Sequence, residues 1–245
     1  MSLDDIGNDV INTSLINDNN YENKITINNY NASEFFTVYH GSPNIIKLPK
    51  YGEGNPFNDY GLGFYTTRNK ELAGEWAVLN SGKNGYINEY TLNYEGLSVL
   101  KLDDKPFEVW VSILMSCRRG EYADEYQARL NKYIKMFGSD FSQYDVIEGW
   151  RADDSFFSYI RDFASVTLSL EKLKEAMKLG DLGMQVCLKS NKAFQQITWN
   201  KSMLAKSSQF YQSAIMRDDD ARKQYRQMKE KTKGTLIFDL IGRDY

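Results

Sequence analysis

The sequence predicts an α+β fold. Strand-like and helix-like runs alternate irregularly along its 245 residues, without the regular strand–helix repeat of a parallel α/β sheet. No strand ends in a complete dinucleotide-binding glycine motif, since Gly61-Leu62-Gly63 is only a fragment of one. Hydrophobic residues make up 42% of the chain and aromatic residues 14%, which is enough to build a core. We therefore expect one α+β domain.

The chain begins with an Asn-rich stretch, residues 1–33. Asparagine favours turns over regular backbone pairing, so this arm is predicted to be mostly irregular, with a short strand at 24–27. Two interpretations stay open: a flexible tail, or a segment that docks on the domain or on a partner. The domain itself is predicted to cover 34–245, including a C-terminal helix.

Two kinds of periodicity define the elements of the domain. Short runs rich in aromatic and β-branched residues predict strands at 35–39, 64–67, 86–92, 97–102, 144–149, 185–190 and 236–240. Apolar residues at helical spacing predict helices at 69–79, 106–118 and 122–137, and further helices are predicted at 156–164, 169–179 and, as a charge-rich exposed helix, 207–233. The segment 191–197 is predicted to be a short helix or a turn. Ser169 is the predicted N-cap of its helix, with Glu171 early in the first turn. The segment 42–58, with three prolines and two glycines, is predicted to be a loop.

Composition removes several classes of protein. The net charge of -3 gives no global basic field for nucleic acid, although a local patch stays possible. Two cysteines make a disulfide framework improbable, and one histidine excludes a zinc site with two histidines. The N-terminus lacks the apolar core of a signal peptide, and no run reaches the roughly 18 apolar residues of a membrane span. A cytoplasmic protein is expected.

The candidate site lies between residues 38 and 67. His40, the only histidine, ends a predicted strand and is followed at once by Gly41. A Gly-rich turn then precedes a second predicted strand that carries Phe64 and Tyr65. Two strands would thus present a histidine and a tyrosine beside glycines, an arrangement typical of a cleft for a flat, polar ligand rich in hydroxyl groups.

These residues resemble a known pattern. The segments 39–42, 59–67 and 73–77, continued by 144–154 and 184–193, look like the ADP-ribosyltransferase superfamily. Within it they are most similar to a bacterial family catalogued mainly as a domain of unknown function. The likeness covers roughly residues 36–240.

The resemblance implies a split β-sheet fold that binds NAD in a central cleft. His40 and Tyr65 match the first two residues of the superfamily's histidine–tyrosine–glutamate class, and Gln185 falls at the glutamate position. These three are the predicted catalytic residues. The predicted cofactor-binding residues, which lie beside them or offer polar groups to NAD, are Gly41, Ser42, Gly63, Phe64, Arg151 and Asp153.

Nicotinamide leaves NAD without needing a proton, so the barrier lies in forming an oxocarbenium-like ribose. His40 would hold a ribose hydroxyl, Tyr65 would stack on nicotinamide, and Gln185 would accept from the 2'-hydroxyl of the nicotinamide ribose. Rival sources of negative charge are Glu148, Asp153 and Asp154. Candidates for the pyrophosphate are Ser42, Arg68 and Arg151.

Three functions are compatible with this pattern. The first is an NAD-dependent mono-ADP-ribosyltransferase acting on an unidentified macromolecule, as the toxin of a toxin–antitoxin or phage-defence pair with an antitoxin protein as partner. The second is a module that binds NAD without turnover, because Gln185 replaces the acid. The third is a transferase directed at nucleic acid through the basic segments 201–206 and 217–233. The loop 44–58 is the predicted gate of the cleft.

Overall fold

The computed structural model describes residues 28–30, 32–79, 82–118, 120–152, 154–229 and 233–242. Within these ranges helices pack on two β-sheets, which confirms the predicted α+β class. The predicted strand at 24–27 lies outside the described residues. The division into an arm of 1–33 and a domain of 34–245 stays a prediction.

The described ranges contain eight strands and eight helices. The strands are β1 Asn28–Asn29, β2 Phe35–Ser42, β3 Phe64–Thr66, β4 Gly85–Asn93, β5 Ser98–Lys101, β6 Val146–Trp150, β7 Met184–Leu188 and β8 Ile197–Ala205. The helices are α1 Lys70–Leu79, α2 Phe107–Cys117, α3 Asp124–Phe137, α4 Phe156–Ala164, α5 Leu170–Ala176, α6 Asn191–Gln195, α7 Ser207–Lys229 and α8 Ile237–Ile241.

The strands form one five-stranded and one three-stranded sheet. The first has the order β1-β5-β6-β7-β3 and the second the order β2-β4-β8. All pairs are antiparallel except β5 with β6. The two sheets touch at one corner, where the backbones of Tyr39 and Thr67 exchange hydrogen bonds of 2.7 and 2.9 Å. This corner places β2 next to β3, and β7 is the other neighbour of β3.

Apolar side chains fill three layers around the sheets. Between the sheets lie buried residues of both, among them Val38 and Val186. The opposite face of the five-stranded sheet packs against α2, α4 and α5 through residues such as Ile147 and Cys187. The outer face of the three-stranded sheet is covered by α1 and α7, with Phe210 in contact.

Local sequence explains where two of the helices begin. Asn69 starts α1 by accepting the backbone N–H groups of Glu71 and Leu72, at 2.9 and 3.2 Å. Ser169 caps α5 as predicted, since its hydroxyl accepts the N–H of Lys172 at 3.3 Å. Both caps satisfy donors that the first helical turn leaves without a partner.

Two predictions differ from the structure in the C-terminal third. The predicted strand at 236–240 is wrong, because this apolar run forms α8 with Asp239 accepting the N–H of Leu236 at 2.8 Å. β8 was not predicted, and it brings the strands of the described residues to eight rather than the expected five to seven. β8 pairs along its full length with β4.

Candidate active site

The three strands that carry the predicted catalytic residues are neighbours. β3 pairs with β7 in a register that sets Tyr65 opposite Cys187, two residues from Gln185. On its other side β3 adjoins β2, which carries His40, through the corner between the sheets. Residues far apart in the chain are thus brought around a single short strand.

His40 is fixed to the backbone of β3. Its Nδ1 lies 2.7 Å from the carbonyl oxygen of Tyr65, and because a carbonyl only accepts, Nδ1 carries the proton. Its ring packs against Phe64, with ring centroids 4.5 Å apart. Burial lowers the pKa of His40, while the bond to the carbonyl opposes this shift. Within the described part of the chain Nε2 has no hydrogen-bond partner, so the neutral ring offers one acceptor nitrogen.

Tyr65 is held by the turn that precedes β3. Its hydroxyl donates to the carbonyl of Gly61 at 2.6 Å and accepts the N–H of Tyr60 at 2.9 Å. The rings of Tyr60 and Tyr65 lie nearly parallel, 6.4 Å apart. Burial raises the pKa of Tyr65 far above its usual range, so the phenol stays protonated. The turn therefore fixes the hydroxyl end of this ring.

Gln185 is buried in β7, with 3% of its surface exposed. Its amide nitrogen donates to Oδ2 of Asp59 at 2.7 Å and lies 3.4 Å from the carbonyl oxygen of Trp150. Gln185 faces the same side of the sheet as Tyr65, because Tyr65 pairs with Cys187 and side chains two residues apart on a strand share a face.

Asp59 is a site residue that the sequence analysis missed. Its carboxylate is buried and accepts from Arg118 at 2.8 Å, from the backbone N–H of Ala152 at 2.9 Å and from Gln185. Arg118 also donates to the carbonyl of Ala152 at 2.8 Å and to Asp154 at 3.0 Å. A single aspartate in a Gly-rich turn carries no spacing signal, so only its place at the start of the segment 59–67 could have pointed to it.

The predicted catalytic side chains lie on two sides of β3. Phe64 and Tyr65 are successive residues of the strand and point to opposite faces. The ring of His40 contacts Phe64, whereas Gln185 shares the face of Tyr65. His40 thus contacts Tyr65 through the backbone carbonyl of Tyr65. Tyr65 and Gln185 both bond the turn before β3, Tyr65 at Tyr60 and Gln185 at Asp59.

Two of the predicted cofactor-binding glycines make close backbone contacts. A Cβ on Gly41 would lie 1.8 Å from the carbonyl oxygen of Ala73, so this glycine lets β2 touch α1. A Cβ on Gly63 would lie 2.5 Å from Sγ of Cys187, so this glycine lets the turn approach β7. Both glycines therefore have a packing role beside any role toward a ligand.

The other predicted cofactor-binding residues are distributed around the corner where the two sheets touch. Ser42 is buried and its hydroxyl bonds the backbone of Asn44. Phe64 lies between the rings of His40 and Tyr90. The guanidinium of Arg151 lies over the ring of Trp76 at 5.5 Å. Asp153 lies outside the described residues.

Arg68 and Glu148, candidates for phosphate binding and negative charge, bind each other. Their side chains approach to 2.5 Å, and the hydroxyl of Tyr94 donates to the same carboxylate oxygen. Arg68 also lies 3.9 Å over the ring of Phe36. This ion pair belongs to the inter-sheet side, since Glu148 pairs with Val186. An anion would have to compete with Glu148 for Arg68.

The loop between β2 and β3 exposes apolar side chains while its ends are anchored. Leu48 is 75% exposed, and the other exposed apolar residues are Ile45, Tyr51, Phe57 and Leu62. Near its start, Ile46 donates to Asn88 at 3.1 Å; near its end, Lys189 donates to the carbonyls of Tyr60 and Leu62. Its predicted gating role stays a prediction, and the structure supplies the anchors that a gate would have to release.

The two predicted basic segments are partly neutralised by acids. Lys201 lies 3.5 Å from Glu89 on the neighbouring strand. Arg217 makes two hydrogen bonds to Glu75, of 2.7 and 2.5 Å. These pairs reduce the positive charge that either segment offers to a nucleic acid.

The geometry defines an α+β protein with a histidine, a tyrosine and a glutamine gathered around one strand. A family model described as "Protein of unknown function (DUF3990)" matches residues 36–199. This match covers more than half of the chain, so the protein belongs to that family. No curated protein and no solved structure matches the chain.

Three further findings concern membrane insertion, metal binding and the cysteines. None of the helices in the described ranges combines the length and apolar character that crossing a bilayer requires. Among the same residues, no three His, Cys, Asp or Glu side chains gather where they could hold a metal ion. Cys117 and Cys187 are both free thiols, and burial raises their pKa values to about 11 and about 12.

Proposed function

We propose that the protein is an NAD-dependent mono-ADP-ribosyltransferase that modifies a macromolecular acceptor. The observation that supports the proposal is that the strands bearing His40, Tyr65 and Gln185 adjoin at β3, with Nδ1 of His40 2.7 Å from the carbonyl oxygen of Tyr65. The resemblance to the superfamily assigns the catalytic roles to these three residues. A role as a toxin with a cognate antitoxin rests on that resemblance alone.

The state of His40 suits the binding of a sugar hydroxyl. Because Nδ1 donates to a carbonyl, Nε2 of the neutral ring is an acceptor with a fixed direction. The lowered pKa keeps the ring neutral at pH 7, so it adds no positive charge near a cationic transition state. An imidazolium at this position would oppose the developing oxocarbenium charge.

Tyr65 and Gln185 would act on the other side of the strand. The ring of Tyr65 offers a flat face for nicotinamide, and such stacking is worth about 1 kcal/mol beyond burial. Gln185 would accept from the ribose 2'-hydroxyl through its amide oxygen. The backbone of the turn at Tyr60 and Gly61 bonds the hydroxyl of Tyr65 and so fixes the position of its ring.

The direct test uses the purified full chain and NAD labelled separately on nicotinamide and on adenylate. We expect release of nicotinamide and transfer of the adenylate label to macromolecules of a bacterial extract. His40→Ala should slow the release about 100- to 1000-fold, the usual effect of losing one transition-state contact. Replacement of Met216, which is exposed on α7, by alanine is the control for handling and folding, and should leave the rate unchanged.

A second variant separates chemistry from packing at His40. In His40→Asn the amide can still donate to the carbonyl of Tyr65, but the acceptor at the Nε2 position is lost. We expect this variant to fold and to lose activity like His40→Ala. Full activity in both variants would overturn the proposal.

The alternative is a module that binds NAD without turnover. It is favoured by the absence of negative charge on Gln185. Tight binding of NAD by the wild-type chain, with no release of nicotinamide in any extract, would support this alternative over the transferase.

A further inference from the structure

We propose that Asp59 is a positioning residue that orients the amide of Gln185 and supplies the negative charge that glutamine itself lacks. This inference rests on the proposed function, because it assigns the charge at the same site. Asp59 lies 126 residues from Gln185 in the chain, yet its Oδ2 is 2.7 Å from the amide nitrogen. Both side chains are buried, with 6% and 3% of their surfaces exposed.

The first step of the argument concerns the direction of the amide. An ionised carboxylate only accepts hydrogen bonds, so the end of Gln185 that faces Asp59 must be its NH2 group. The amide oxygen then points away, and it accepts no hydrogen bond from the described residues. A ribose hydroxyl that approaches Gln185 would therefore meet the amide oxygen, which accepts, and not the NH2 group, which donates.

The second step concerns how firmly Asp59 is held. Its Oδ1 binds Arg118, and its Oδ2 binds the backbone N–H of Ala152 together with Gln185. Arg118 is itself fixed by the carbonyl of Ala152 and lies 4.9 Å over the ring of Phe157. A carboxylate with both oxygens occupied has no freedom to rotate, and it transmits that order to the amide.

The third step concerns charge. The transition state at the ribose carries positive charge, which a nearby carboxylate stabilises and a neutral amide stabilises less. Asp59, although paired with Arg118, keeps its Oδ2 2.7 Å from the amide nitrogen, where it polarises the N–H bonds and makes the amide oxygen a stronger acceptor. A glutamate at position 185 would instead bring two carboxylates together in a buried place, where they repel. The presence of Asp59 thus explains why glutamine suits position 185 in this chain.

The test is a reciprocal exchange of the two groups. Asp59→Asn removes the charge, Gln185→Glu crowds two carboxylates, and the double variant carrying both changes returns one acid and one amide to the pair. Replacement of Asp220 by asparagine is the control, because this aspartate is exposed on α7. All variants are made in the full chain and compared by thermal unfolding, NAD binding and nicotinamide release.

The stability readout tests the pairing without any reference to catalysis. We expect Gln185→Glu to melt lower at pH 8 than at pH 5.5 relative to wild type, because one of the two acids must hold a proton. The double variant should lose this pH dependence and melt higher than Gln185→Glu at pH 8. A double variant whose loss equals the sum of the single losses would overturn the pairing.

The kinetic readout tests the positioning role. We expect Asp59→Asn to lower kcat at least 10-fold with little change in KM, because the charge acts mainly on the transition state. The double variant should recover most of that loss, which a merely structural role would not predict. Unchanged kcat in Asp59→Asn would overturn the charge role. If wild type releases no nicotinamide, the proposed function fails, and the unfolding cycle alone decides whether Asp59 and Gln185 act as a pair.

Discussion

The two sides of β3 are stabilised by different physical means. On the side of Phe64, aromatic rings and a neutral imidazole pack between the sheets, with His40, Tyr90 and Phe194 around the same ring. On the side of Tyr65, a buried carboxylate, a guanidinium and an amide form a polar network. One strand of three residues thus separates a mainly aromatic side, which also holds the Arg68–Glu148 ion pair, from a buried network of charged and polar groups.

This difference indicates which substitutions should destabilise the site most. Packing contacts on the His40 side are many and individually weak, so they respond mainly to steric change. The network on the Gln185 side depends on each partner, because removal of one leaves a buried charge without compensation. We therefore expect substitutions that remove a group on the polar side to cost more stability than substitutions on the packed side. The exception is a substitution that adds atoms to the packed side.

The largest effect is expected for Arg118→Ala, which strips Asp59 of its cation. The pair is 2.8 Å apart, and the side chains of Arg118 and Asp59 are only 9% and 8% exposed. We expect the free energy of unfolding to fall by about 3–5 kcal/mol, measured by urea denaturation. In the control Arg222→Ala, an exposed pair with Asp218 on α7 is lost, and about 0.3–0.5 kcal/mol should be lost with it. Equal losses of unfolding free energy in both variants would show that the Arg118–Asp59 pair does not stabilise the polar side of β3.

A smaller effect is expected on the packed side for Gly41→Ala. The new Cβ would lie 1.8 Å from the carbonyl oxygen of Ala73, so β2 and α1 must separate. We expect a loss of about 1–3 kcal/mol by the same measurement, as for other overpacked sites.

The matched control for this change is Gly74→Ala in α1. There the atoms nearest to the new Cβ belong to the ring of Phe210, 2.6–2.9 Å away, so a side chain and not the backbone has to shift, and the helix gains about 1 kcal/mol of propensity. Gly74→Ala should therefore cost less than Gly41→Ala. The reverse order would mean that the corner between β2 and α1 adapts more easily than its backbone contact indicates.

The smallest effect is expected from the titration of His40. Its pKa is lowered by burial, so below about pH 6.5 the unfolded chain binds a proton that the folded chain does not. Stability should therefore fall as the pH is lowered below 6.5, by at most about 1.4 kcal/mol per pH unit. His40 is the only histidine, so the difference between wild type and His40→Asn isolates this titration. A difference that grows in favour of wild type on acidification would contradict the lowered pKa.

Periodicity was sufficient for the regular elements of the fold. The apolar face of α2 and the cap of α5 at Ser169 appear where the sequence predicts them. These signals are local, because helical spacing and a side-chain cap act within a few residues. The packing of the sheets and the corner between Tyr39 and Thr67 depend on contacts between distant residues, which spacing does not encode.

β8 escaped prediction because its alternation is broken. The register with β4 shifts between Glu89 and Tyr90, which pair with Lys201 and Trp199 and leave Asn200 as the extra residue. A bulge of this kind interrupts the period of two that marks a strand. The strand predicted at 236–240 failed for a different reason: a run of five mostly apolar residues fits a buried strand and a short helix equally well.

The candidate site was predicted in part. His40 and Tyr65 are marked by the glycines around them, and the resemblance to a superfamily pointed to Gln185. Asp59 and Arg118 leave no pattern in the sequence, because their importance comes from burial beside one another. Buried ion pairs between distant residues are found only when the fold brings them together.

The two-residue strand β1 has a consequence for the behaviour of the protein in solution. Asn28 and Asn29 cover the outer edge of β5 by pairing with Val99 and Ser98. A truncated chain that starts at residue 32 would leave this edge open to strands of other copies, and such edges promote self-association. A chain that retains residues 28–30 should stay monodisperse at concentrations where the shorter chain aggregates.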